Sequence, residues 1–129
     1  MIAIDTNVLL RYIVQDDPAQ AVVAAEVMEA RLSPATPGFV GLVVLAELWC
    51  SLVNSYDVPK GRVRGIIVQL MATRDIRVEA PDVVRAALAD EATDFADALV
   101  HHSGRAAGCA ETVTFDRRFA RQEGVRLAG

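Results

Sequence analysis

The run Met1-Ile2-Ala3-Ile4-Asp5-Thr6-Asn7-Val8-Leu9-Leu10-Arg11 decides how the rest of the chain is read. Its first four residues are apolar without alternation, the pattern of a strand buried on both faces. Thr6 and Asn7 are capping residue types ahead of Val8, Leu9 and Leu10, so a helix is expected to begin there. A strand followed at once by a helix puts Asp5 at the carboxyl end of a central parallel strand, where open α/β sheets carry out their chemistry. An aspartate at a strand end is equally at home as a plain turn or capping residue. The other acids of the chain have to decide between the two.

Outward from that run, helical and strand-like segments alternate. Asp16-Asp17-Pro18 reads as a helix start, with Asp17 capping and Pro18 in the first helical position. Residues 19–32 have helical composition, with Val22, Val23, Val27 and Met28 directed to the core, and Ser33-Pro34 closes the segment. Residues 35–40 are a weak strand candidate because they contain Pro37 and Gly38. Residues 42–55 form a long helix, apolar nearly all round. Pro59 opens the next helix, with Val63, Ile66, Ile67, Leu70 and Met71 on its inner face, and a short strand follows at 76–78. Pro81 opens a helix through Val83, Val84, Ala87 and Leu88. Another runs over about 95–107 behind Thr93 or Asp94 as cap and stops at Gly108. Residues 111–115 form a strand ending at Asp116, 117–122 a helical turn, and 125–127 a last strand. This alternation predicts an α/β fold, its parallel sheet covered by helices on both sides through right-handed crossovers.

At 129 residues and 53% apolar composition, the chain has the size of one domain with one core, spanning residues 1–129. A net charge of −4 argues against a protein that holds nucleic acid by bulk positive charge. It leaves open a nuclease whose acids gather in one metal-filled cleft. Cys50 and Cys109 have no metal-type spacing and lie in apolar surroundings, so buried free thiols are expected. The chain opens directly on a core strand, leaving no room for a signal peptide. Its most apolar stretch, residues 39–53, is broken by Glu47 and too short to span a bilayer. A cytoplasmic protein without membrane partners is expected.

Glu47 stands among Leu42, Val43, Val44, Leu45, Ala46, Leu48, Trp49 and Leu52. A lone carboxylate in that company is costly to desolvate unless something positive meets it. The alternative is an acid at the edge of the apolar face, reaching water or an arginine. Asp94 and Asp97, three residues apart, share a helix face and repel unless solvated, capping or bridged by a cation. Capping accounts for Asp94, and the dipole of the first helical turn accounts for Asp97. Asp116 follows Thr112-Val113-Thr114-Phe115 much as Asp5 follows the first strand, and it too suits a turn or cap. Each acid alone has an ordinary explanation, but a set of them at strand ends and helix beginnings does not share one. In a parallel sheet the carboxyl ends of strands and the amino ends of the helices after them lie on one edge. Asp5, Asp97 and Asp116 are expected to converge there, joined by Glu47 if its helix begins at that edge. Clustered carboxylates require a counter-cation, and hard oxygen donors without His or Cys point to Mg²⁺ or Mn²⁺.

Asp5-Thr6-Asn7-Val8-Leu9-Leu10, Glu47 inside an apolar helix, Asp94-Phe95-Ala96-Asp97-Ala98-Leu99 and Thr114-Phe115-Asp116-Arg117 resemble the motifs of PIN-domain ribonucleases in order and approximate spacing. The likeness is greatest to the VapC toxins of bacterial toxin–antitoxin pairs and covers essentially the entire chain. No single motif is specific, whereas all of them in order are. The resemblance implies a three-layer α/β/α sandwich with a central parallel sheet, and metal-dependent cleavage of RNA. By motif matching, Asp5, Glu47, Asp97 and Asp116 carry over as the catalytic, metal-binding set. Asp94 is an accessory acid acting through a water or a second metal, and Thr6, Asn7 and Thr114 match polar positions beside the acids. A homodimer and a small antitoxin protein covering the active edge are also implied.

No histidine lies in these motifs, and His101-His102 reads as structural or exposed. Activation of an attacking water therefore falls to the cation, and in-line attack would leave 5′-phosphate and 3′-hydroxyl ends. Arg11 and Arg117, with Arg118 and Arg121, are candidates for phosphate contact by their position near the acidic edge. A phosphoacceptor domain of the receiver type would need an acidic pair after the first strand and a lysine after a later one. Here Asp5 stands alone and Lys60 lies at a helix start. A non-catalytic PIN-like binding module would show a degraded acidic set, and this one is intact. A nuclease of the same fold in nucleic-acid processing is the remaining alternative.

Overall fold

The opening run folds into strand β1 (Ile2–Ala3) and, two residues on, helix α1 (Thr6–Val14), in a computed structural model that describes residues 1–129. Two compact units make up the chain, Met1–Glu79 and Ala80–Gly129. The first continues with α2 (Pro18–Glu26), β2 (Gly38–Val40), α3 (Leu42–Cys50), α4 (Lys60–Ala72) and β3 (Ile76–Val78). The second contains α5 (Pro81–Ala89), α6 (Phe95–Ala106), β4 (Thr112–Thr114), a 3₁₀ turn at Phe119–Arg121 and β5 (Val125–Leu127). Every strand pairing is parallel, and six helices with these sheets give the α/β sandwich fold that was expected.

In the first unit the strands run in the order β1-β2-β3, with Ile2 opposite Gly38 and Gly38 opposite Ile76. The middle strand of this sheet is therefore β2, and β1 lies at its edge. Met1 is 71% exposed and Ala3 is exposed as well, so the burial expected along the whole first strand is concentrated at Ile4. The middle position explains Gly38. A Cβ there would come within 2.9 Å of Leu32 Cδ1, 3.1 Å of Ile76 Cδ1 and 3.2 Å of Ile4 Cγ1. The glycine that weakens the sequence case for a strand is what lets β2 pass between its neighbours.

Asp17 caps α2 as expected, accepting from the Gln20 amide at 3.1 Å, with Pro18 beginning the helix. The buried residues of α2 are Ala21 and Ala24, whereas Val22 and Val23 are exposed, contrary to the expected core face. α2 packs against α1, and small side chains let helices approach closely. Both α2 and α3 run on into wider, π-helical turns, at Val27–Arg31 and Ser51–Ser55. The second is closed by the Tyr56 amide donating to the Ser51 carbonyl at 3.2 Å. Such turns re-aim the residues that follow them, and Tyr56 is the residue this one delivers.

Leu9, Val40, Leu45, Leu48, Leu52, Val63 and Ile67 are fully buried in the first unit, each contributing about 1.5–3 kcal/mol by burial. In the second, α5 lies along α6, with Val83, Val84 and Ala87 of one and Phe95, Ala98 and Leu99 of the other buried. β4 pairs with β5 through Thr112 opposite Val125 and Thr114 opposite Leu127. Thr112 and Thr114 are partly buried while Val113 between them is exposed, so this strand turns its hydroxyls inward. Gly108, with φ of +94°, ends the run of α6 as expected. Cys50 and Cys109 are in no disulfide, as expected, but they are exposed, not buried. No helix is long and apolar enough to cross a membrane.

Candidate active site

Asp5 is itself the cap of α1. The chain leaves β1 extended, with φ −79° and ψ 156° at Asp5, and the Asp5 carboxylate accepts from the Thr6 amide at 2.7 Å. Thr6 and Asn7, expected as caps, are the first residues inside the helix. Thr6 is buried, and its hydroxyl donates to Glu47 Oε1 at 2.9 Å, across 41 residues of sequence. One residue therefore meets Asp5 through its amide and Glu47 through its side chain. Glu47 is exposed, and a hydroxyl is its hydrogen-bond donor. The expected desolvation problem does not arise, because α3 is apolar nearly all round without being buried all round: Val43, four residues earlier, is 73% exposed.

Further along α1, Asn7 lines a groove of about 540 Å³ between α1 and α2 with Val8, Arg11, Gln20 and Val23. Arg11 is held at the rim. Its Nε donates to Gln20 Oε1 at 2.6 Å, and its Nη1 to Asp16 Oδ1 at 3.1 Å and to the Tyr56 hydroxyl at 3.3 Å. Tyr56 in turn donates to Asp16 Oδ2 at 3.2 Å. The bond to Tyr56 holds the guanidinium above the usual arginine value; burial opposes it, and the charge of Asp16 adds to the rise. Beside it, the Tyr12 hydroxyl donates to Glu29 Oε2 at 3.0 Å, and burial followed by that bond pushes the phenol up. Tyr56, the partner of Arg11, stands 45 residues away behind a π-helical turn and left no local signal in the sequence.

In the second unit Asp94 occupies the cap position of α6, although its side chain makes no capping bond, and Asp97 lies in the first turn. Both are partly buried. The segment before them is fastened by Thr93, whose buried hydroxyl donates to Gln122 Oε1 at 2.9 Å. Asp116 Oδ1 accepts from the amides of Arg118 at 2.8 Å and Phe119 at 3.0 Å, so the acid ties its own turn. The Asp116 amide donates to Thr114 Oγ1 at 3.0 Å, which puts Thr114 beside the last acid as expected. Arg117 and Arg118 are exposed on that turn.

His101 is 2% exposed, with Nδ1 2.8 Å from Thr112 Oγ1. His102 Nε2 lies 3.3 Å from Asp90 Oδ2. Burial first, then the neighbouring His102 and Arg105, hold His101 below the usual histidine range. Asp90 and a hydrogen bond to the Glu123 backbone oppose them. Neither histidine belongs to the acidic set, in line with a structural role.

Carboxylate oxygens are the donors that Mg²⁺ and Mn²⁺ take, and Asp5 and Glu47, joined through Thr6, supply a pair of them. No group of three or more His, Cys, Asp or Glu side chains is gathered into a ligand cage. The donors are of the kind a hard divalent cation takes, and of the four acids Asp5 and Glu47 are linked through Thr6.

No curated protein matches the chain. The sequence profile of the PIN domain matches residues 2–125. PIN domains are generally nucleases, commonly metal-dependent, and act on nucleic acid. With a match spanning nearly its full length, borne on an α/β fold of parallel strands, the chain belongs to the PIN domain family.

Proposed function

We propose that the protein is a metal-dependent endoribonuclease that works as a single PIN domain, with Asp5, Glu47, Asp97 and Asp116 as its catalytic acids. The observation that carries this reading is the Thr6 link between the first two of them: its amide donates to Asp5 and its buried hydroxyl to Glu47. Family membership supports the nuclease chemistry, and the hard-oxygen donor set supports Mg²⁺, with Mn²⁺ as a substitute.

The carboxylate oxygens of these acids are the donors a divalent cation would take, and when bound it would supply the Lewis acidity that the side chains lack. Thr6 fixes the carboxylate of Glu47, and the amides of the 116–119 turn fix that of Asp116. Asp94 acts beside the set, with Asn7 and Thr114 as polar neighbours. Arg117 meets phosphate from the turn that Asp116 ties, and Arg11 from α1, where Asp16 and Tyr56 already order its guanidinium. A water is the nucleophile, leaving 5′-phosphate and 3′-hydroxyl ends. The resemblance to VapC toxins supports a cytoplasmic toxin that forms a homodimer and is neutralised by a cognate antitoxin protein.

The test is cleavage of a mixed cellular RNA pool with Mg²⁺, with EDTA and with the Asp5→Asn variant, the product ends being mapped. Metal-dependent cuts with 5′-phosphate ends, lost in Asp5→Asn, are expected. Cuts that survive both EDTA and Asp5→Asn would overturn the assignment. If the toxin reading holds, expression alone should arrest growth, and co-expression of a small antitoxin from a neighbouring gene should abolish the arrest.

A further inference from the structure

His101 lies on no acidic motif, yet it sits at the crossing of three elements in the second unit. It is on α6, one turn after Asp97 and so on the same helix face. Its Nδ1 reaches the Thr112 hydroxyl at 2.8 Å, on the strand that leads through Thr114 to Asp116. Its other nitrogen faces the bend before β5. A Cβ on Gly124 would stand 3.1 Å from His101 Cε1 and 3.4 Å from Nε2. Gly124 has φ of +82°, and its carbonyl accepts from the Thr112 amide at 2.9 Å. The bend is thus shaped around the imidazole on one side and bonded to β4 on the other.

A neutral ring whose Nδ1 accepts from the Thr112 hydroxyl leaves its Nε2 hydrogen directed at the bend around Gly124.

We propose that His101 is a positioning residue, whose neutral imidazole ties the helix carrying Asp97 to the strand leading to Asp116 and so fixes these two acids for the reaction. The inference rests on the acids' catalytic role proposed above. The charged and titratable groups around the ring are His102 and Arg105 on α6, Asp90 at the end of α5 and Glu123 before β5. Protonation would put a positive ring beside Arg105 and His102. Because the folded ring titrates below the ordinary value of about 6.5, the native state binds fewer protons than the unfolded chain in that window. The stability this tie contributes is fully present above about pH 6.5 and is lost as pH falls toward the lowered folded value.

The experiment combines imidazole ¹⁵N spectra of the full chain with the variants Thr112→Val and Thr112→Ser. In the native protein His101 should be the neutral Nε2–H form at pH 7 and titrate below the ordinary range. An Nδ1–H form, or titration at or above that range, overturns the proposal. Thr112→Val should shift the amide resonances of Asp97 and Asp116 and lower kcat roughly tenfold, the usual cost of an outer-shell partner. KM for RNA should not change, and Thr112→Ser should restore both signals. A folded Thr112→Val protein with unmoved Asp97 and Asp116 resonances overturns it as well. If the native protein cleaves no RNA, the nuclease reading fails on its own, and the resonances still decide whether His101 positions the acids.

Discussion

Thr6 joins Asp5 and Glu47 by one amide and one hydroxyl, reaching Glu47 across 41 residues of the chain. Asp116, by contrast, is held by amides only two and three residues further on, and Asp97 by its place in the first turn of α6. The first unit therefore builds its acidic pair from tertiary structure, and the second from local turns and helix starts. A locally tied carboxylate keeps its orientation as long as its own turn forms, while the His101–Thr112 bond relates the helix of Asp97 to the strand before Asp116. A pair joined at a distance depends on α1 and α3 keeping their places, and a single hydroxyl reports whether they do.

The largest effect that tests this difference is expected from Asp116→Asn. Asparagine caps as well as aspartate, so unfolding free energy should stay within about 0.5 kcal/mol. Removing the charge should lower kcat on the order of 100-fold, as losses at a metal site do. Equal losses of stability and activity would erase the distinction between tying the turn and doing chemistry. Next comes Thr6→Val, which removes only the hydroxyl that reaches Glu47. It should reduce kcat about tenfold and cost about 1 kcal/mol in denaturant unfolding, with Thr6→Ser recovering most of each. A Thr6→Val protein of full activity would show that the distant link is incidental.

Asp116→Ala takes the acceptor away as well, and chemical denaturation should show about 1 kcal/mol less stability. That loss marks the local cap, separately from activity. The smallest effect belongs to Thr93→Val, which breaks the one tie of the second unit that spans 29 residues. About 0.5 kcal/mol is expected, read from the unfolding midpoint. A larger loss would mean that the second unit, too, leans on distant bonds.

The same contrast separates what was legible in the sequence from what was not. Local chemistry was readable: Asp17 capping with Pro18 behind it, Gly108 closing α6, Thr114 beside Asp116 and parallel strands between helices. Apolar content misled where packing made the choice. Two alanines took the buried face of α2 from Val22 and Val23, and α3 left Val43 and Glu47 exposed. β2 looked weak because Gly38 was judged by propensity, whereas its place between Leu32, Ile4 and Ile76 leaves no room for a side chain. Partners distant in sequence, such as Thr6 with Glu47, Arg11 with Tyr56 and His101 with Thr112, left no periodic trace. Asp5, Asp97 and Asp116 stood out because each follows a strand or begins a helix, and Glu47 because it is the one charge in an apolar run.

The exposed thiols carry a practical consequence. Cys50 and Cys109 fall one in each compact unit, and neither is in a disulfide. They are native attachment points for nitroxide labels, one in each unit. Spectra recorded with and without Mg²⁺ and RNA would report on each unit without the introduction of a single foreign residue. The same thiols can cross-link copies of the chain in air, so an oligomer counts as a dimer only when it persists under reductant.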